Sequence, residues 1–186
     1  MNFDINDLFF PRFTQPEVLA VSGLRPDTLQ TWINRQIIKL DAPSPGSGRR
    51  RLYSMIHIIQ LTIMARLHGT YGITPTSAAR LSLEALTQLA VHGTADRQAV
   101  MVLTRHRIVF EENGKVIRVE EGDLTPSFFT GSPDTISLTD LARISGSVKN
   151  AETGFIDGAD SMLIFRMGEI IHSVIAQLSA IESEDA

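Results

Sequence analysis

A glycine and a proline three residues apart, Gly23 and Pro26, do most to limit what this chain can fold into. They separate two segments, FTQPEVLAVSG and LRPDTLQTWINRQ, whose apolar residues recur at helical spacing. Val18, Leu19, Val21 and Leu24 on the first, with Leu29, Trp32, Ile33, Ile37 and Ile38 on the second, suffice to close a small core. Gly23 supplies the positive φ that a sharp turn between helices demands. Pro26 falls in the first turn of the second helix, where its missing N–H is not needed. The spacing predicts two short helices joined by a tight turn, the second with a polar outer face.

That outer face offers Arg25, Asp27, Thr28, Gln30, Thr31, Asn34 and Arg35. Gln and Asn can bond an adenine edge in two places, and Arg can bond guanine or phosphate, whereas Asp27 would sit poorly against phosphate. A Pro/Gly/Ser-rich loop, DAPSPGSG, follows and ends in RRRLYS. Arg49, Arg50 and Arg51 suit phosphates or a minor-groove wall, or a solvated basic turn. Residues 12–80 hold nine basic side chains against Glu17, Asp27 and Asp41, a balance of +6. The whole chain carries −4, so the remainder carries −10. Such segregation is expected where one end meets a polyanion and the other does not.

LAVSGLRPDTLQTWINRQII followed by GRRRLYS resembles the winged helix–turn–helix of the MerR superfamily, closest to its MlrA/CarA-like branch through W-x-x-R and R-L-Y-S. The resemblance covers the first third to two-fifths of the chain. It implies a recognition helix in the major groove of double-stranded DNA, with Trp32 supporting the wing and Arg35 contacting or bracing the backbone. Arg50, Arg51 and Tyr53 would form the wing. The expected DNA-contacting set is Arg25, Thr28, Gln30, Thr31, Asn34, Arg35, Arg49, Arg50, Arg51 and Tyr53. Gln30 and Thr31 stand where many members carry Arg and Tyr, and Ile33 stands where an acidic residue is usual, so the target sequence does not transfer.

The remainder of the 186 residues allows one compact domain or two small ones. The expected division is an arm over 1–12, a winged DNA-binding domain over 13–95, and a dimerisation or regulatory domain over 96–186. Phe3, Ile5, Leu8, Phe9 and Phe10 suit either a docked or a loose arm. Ser54 caps a helix to about His68 that GTYG breaks, and Thr74-Pro75 starts another that stops at Gly93, with or without a kink near Ser82. β-Branched runs and Asn113-Gly114 predict two or three antiparallel strands across 99–121. A loop, EGDLTPSFFTGSPDT, a short helix, LTDLARIS, and a turn at GFIDGAD come next. Last is a helix over DSMLIFRMGEIIHSVIAQLSAIE with Leu163, Met167, Ile170, Val174, Leu178 and Ile181 on one stripe. Its apolar surface either packs on the small sheet or pairs with a second copy. The fold class expected is α+β, mostly α: a winged helix–turn–helix followed by a β-hairpin and a long helix.

The absence of cysteine removes disulfides, thiolate catalysis and thiol-based metal sensing, which the metal- and redox-responsive members of the resembling family use. The five histidines show no ligand spacing, and GFIDGAD lacks the spacing of a calcium loop. No nucleophile, Walker-type or dinucleotide motif occurs, nor the D-x-H-x-x-G of cobalamin modules. The expectation is a cytoplasmic, non-enzymatic transcriptional regulator without metal or cofactor, homodimeric through its last helix and unattached to membrane. Three other readings share the sequence. One is a DNA-architectural or recombination accessory factor. Another is a receptor for a small-molecule effector with Phe110, Phe128, Phe129, Phe155 and Phe165 as walls. The third is a protein–protein adaptor using the acidic half.

Overall fold

The computed structural model describes residues 5–40, 51–92, 100–112, 115–129, 148–150 and 154–184. The chain is α+β and mostly helical, with six helices and four strands among the described residues. In chain order they are α1 (Ile5–Phe9), α2 (Gln15–Ser22), α3 (Pro26–Asn34), α4 (Met55–Tyr71), α5 (Pro75–His92), β1 (Val100–Glu112), β2 (Lys115–Phe129), β3 (Val148–Asn150), β4 (Gly154–Phe165) and α6 (Met167–Glu184). Two compact units result: Met1–Gly93 with Glu169–Ala186, and Thr94–Gly168.

The first unit is built around α4. A helix at a protein surface buries one stripe, but Met55, Ile58, Ile59, Leu61, Ile63, Met64 and Leu67 are all buried, together with His57, Gln60 and Thr62. Burial on every side marks a central helix, and α1, α2 and α5 all pack against it. Thr62 satisfies its buried hydroxyl by donating to the Ile58 carbonyl at 2.8 Å. Ser54 is the N-cap as expected, and at the helix's third position His57 Nδ1 accepts the Ser54 N–H at 3.3 Å. The sequence expectation placed the break at GTYG; the helix instead runs through Gly69 and ends at Gly72, whose φ of 69° is left-handed. α5 is continuous past Ser82, which is fully buried and donates to the Ala79 carbonyl at 2.8 Å.

In the second unit the strands form one antiparallel sheet in the order β2-β1-β4-β3. β1 is a single strand of 13 residues where the sequence suggests two, and both its pairings shift register between Arg105 and Arg107. β1 pairs with β2 through Glu112↔Lys115; the intervening Asn113 and Gly114 lie outside the described residues. β2 extends through the stretch expected to be loop, with Pro126 opposite Leu103. A proline, lacking an N–H, is tolerated there because β2 is an edge strand. The expected turn at GFIDGAD and the helix from Asp160 are both corrected: Gly154–Phe165 is β4, paired with β1 and β3. The expected helix over LTDLARIS lies outside the described residues.

The last helix begins at Met167, and from Glu169 onward it is grouped with the N-terminal unit rather than with 96–168. Met167, Ile170, Ile171, Val174 and Leu178 are buried within the single chain. Arg12 Nε meets Glu182 at 2.7 Å, joining the segment before α2 to the end of α6. Of the stripe read from the sequence, Met167, Ile170, Val174 and Leu178 are thus buried within the chain and Ile181 is half-buried. No helix among the described residues is long and apolar enough to cross a membrane.

Candidate nucleic-acid interface

α2 starts with Thr14, whose N–H and hydroxyl both donate to the Glu17 carboxylate, the hydroxyl at 2.7 Å. The first-turn carboxylate also complements the helix N-terminus. α2 ends at Gly23 with φ 68°, its N–H donating to the Leu19 carbonyl at 3.0 Å, so the chain turns sharply into α3. Pro26 is the first residue of α3. The turn chemistry read from the sequence thus stands where it was expected.

α3 is held by two side chains. Leu29 is fully buried, and Trp32, 2 % exposed, stands edge-on to the His68 ring at 5.9 Å between centroids. His68 is fixed in turn by Nδ1, which donates to the Ile73 carbonyl at 2.8 Å. The C-terminus closes with Gln36 N–H donating to Ile33 and Ile37 N–H to Trp32, at 3.0 and 2.9 Å. This Schellman arrangement forces Gln36 to φ 56°, a conformation that glycine usually fills.

The opposite face is polar. Arg25, Asp27, Gln30, Thr31, Asn34 and Arg35 are exposed and Thr28 is half-buried, so all six candidate residues between 25 and 35 fall on one short helix and its caps. They are not independent. Gln30 Nε2 donates to Asn34 Oδ1 at 2.7 Å, a pair one helical turn apart on the exposed face that leaves Gln30 Oε1 and Asn34 Nδ2 outside the bond. Thr31 donates its hydroxyl to the Asp27 carbonyl at 2.8 Å. Arg25 meets Asp27 at 3.2 Å with both side chains largely exposed, so the ion pair is weak and a phosphate can replace the carboxylate.

The wing residues separate. Arg49 and Arg50 lie outside the described residues. Arg51 is half-buried, Leu52 exposed and Tyr53 fully buried, the alternation of an extended segment. Tyr53 pairs with Phe13 in an antiparallel bridge: Tyr53 N–H donates to Phe13 at 2.8 Å, and the Arg12 and Phe13 N–H groups donate to the Tyr53 carbonyl at 3.0 Å each. Tyr53 is therefore a core residue that anchors the segment, and the expectation that it touches DNA is corrected. Burial pushes its phenol pKa up, and the neighbouring Arg51 guanidinium pulls the other way. Alternation alone would have put one of Leu52 and Tyr53 inward without saying which.

No protein-family model matches this chain, and neither does any curated protein.

Proposed function

We propose that the chain is a sequence-specific double-stranded DNA-binding regulator of winged helix–turn–helix type, with α3 in the major groove and the segment ending at Arg51 along the phosphates. The observation that carries this reading is the polar face of α3, presented by two apolar anchors and exposed at Gln30, Thr31 and Asn34. The Gln30–Asn34 pair gives the reading its chemistry. Gln30 Oε1 accepts from an adenine N6 amine while Asn34 Nδ2 donates to N7, so the two amides read one adenine edge as a unit. Arg25 and Arg35 flank this pair and contact phosphates, as do Arg49, Arg50 and Arg51. Thr28 and Thr31 supply short contacts beside them.

A repeated operator requires two such faces, hence a homodimer, and a seam on α6 would have only its half-buried residues Ile175 and Ile181 to add to what the chain already covers. The test is binding to a selected fragment at about physiological salt. Gln30→Ala and Asn34→Ala should each relax discrimination at the same base pair. Arg35→Ala should weaken all sequences alike and lower the salt slope by about one. The reverse assignment of effects would contradict the placement of α3.

A further inference from the structure

The N-terminal unit contains a second feature, a groove that includes none of the residues proposed to contact DNA. A groove of about 670 Å³ is walled by Phe9, Ile37, Ile56, Leu83 and Leu86. Phe9 and Leu83 are 57 % and 58 % exposed, an unusual degree of exposure for large apolar side chains that share one concavity. The volume lies within the range of small-molecule sites.

The polar residues of the lining are Gln36 and Thr87, both exposed, with His57, Arg80, Lys39 and Gln60, and the last two say what such a molecule carries. Gln60 sits on the central helix, 9 % exposed, in the otherwise apolar run MIHIIQLTIM, and lines the groove. Its side-chain amide is engaged by no hydrogen bond among the described residues and is not sealed inside the protein, so it is open to an occupant of the groove. Lys39 also lines the groove, is exposed, and has no acidic partner among the described residues. The other lining cation, Arg80, is already engaged with Glu84 at 3.5 Å, and His57 is committed through Nδ1 to Ser54. No acidic side chain is in the lining. Apolar walls, the Lys39 ammonium and amides that can donate, with no carboxylate among them, describe the complement of an apolar tail ending in a carboxylate.

We infer that this groove is a binding site for a small amphipathic carboxylate, with its tail against Phe9 and Leu83 and its head between Lys39 and Gln60. The site belongs to the N-terminal unit alone, and its occupancy is read without DNA. A short peptide with an acidic residue would share part of this chemistry, but the groove's modest volume favours the small molecule.

The test uses the full chain and decanoate, held below its micelle-forming concentration, with decyltrimethylammonium as the same tail bearing the opposite charge. Decanoate should raise the melting temperature and bind saturably at one site, and the ammonium compound should not. Lys39→Glu, an exposed change that leaves the fold intact, should weaken decanoate about fivefold or more. Leu83→Glu, also exposed, should remove binding while circular dichroism stays that of the parent. Equal responses to the two head groups, no saturable response, or undiminished decanoate binding by both variants would overturn the inference.

Discussion

α3 and α4 are neighbours in sequence and members of one compact unit, yet they use their surfaces in opposite ways. From Met55 to Met64 α4 is buried around most of its circumference, including polar Gln60, Thr62 and His57. α3 buries only Leu29 and Trp32 and gives the rest of its surface to polar side chains. A helix with two anchors can change its outer residues with little effect on the fold, whereas a helix enclosed on all sides cannot. Stability resides in α4, and in the function proposed above recognition falls to α3, a separation that would allow a short helix to carry sequence specificity.

The comparison is broken most severely by a cavity in α4. Leu61→Ala, at a fully buried position, should cost about 2–5 kcal/mol by denaturant unfolding. A loss near that of a surface change would mean that α4 is not the central helix. The anchoring of the segment behind α3 is tested by pH. Because the folded state raises the Tyr53 pKa above its ordinary value of 10.0, the unfolded chain releases its proton first. The contribution of Tyr53 is thus fully present below pH 10.0 and is lost as pH rises through the higher folded-state pKa. Tyr53→Phe should flatten that alkaline loss, while an unchanged alkaline limb would place the phenol in water.

Smaller effects sharpen the contrast. Gln36→Gly relieves a left-handed backbone and should stabilise by up to about 1 kcal/mol, read as a rise in the urea midpoint. The double change Gln30→Ala with Asn34→Ala should move stability by no more than about 0.5 kcal/mol, the scale of an exposed helical pair. A large loss of stability from that pair would show that the outer face of α3 supports the fold.

Local signals made the helical part legible. Gly23, Pro26, Ser54 and Thr74-Pro75 each act within a few residues, and the boundaries of α2, α3, α4 and α5 follow them closely. The exposed face of α3 was legible for the same reason, since it is the complement of Leu29 and Trp32. Contacts distant in sequence were not. Met162 to Phe165 is a short apolar run that suits a buried strand or a helix equally, and only pairing with Met101–Thr104 decides for β4. Pro126 reads as loop until β2 is known to be an edge. The burial of Tyr53 depends on Phe13, some forty residues earlier, and nothing local to α6 shows that Met167, Ile170, Val174 and Leu178 are buried by their own chain. Gln60 was visible as a polar residue in an apolar run, but the groove it lines brings together α1, the residues after α3, α4 and α5.

The most direct test of the central claim is selection of bound fragments from a random double-stranded DNA pool, run in parallel with the parent chain and the Gln30→Ala, Asn34→Ala variant at about physiological salt. The account predicts enrichment of a defined repeated sequence by the parent, and loss of preference for adenine at one position of each half-site by the variant. No enrichment by a parent chain that is folded, or the same enriched sequence from both proteins, would contradict it.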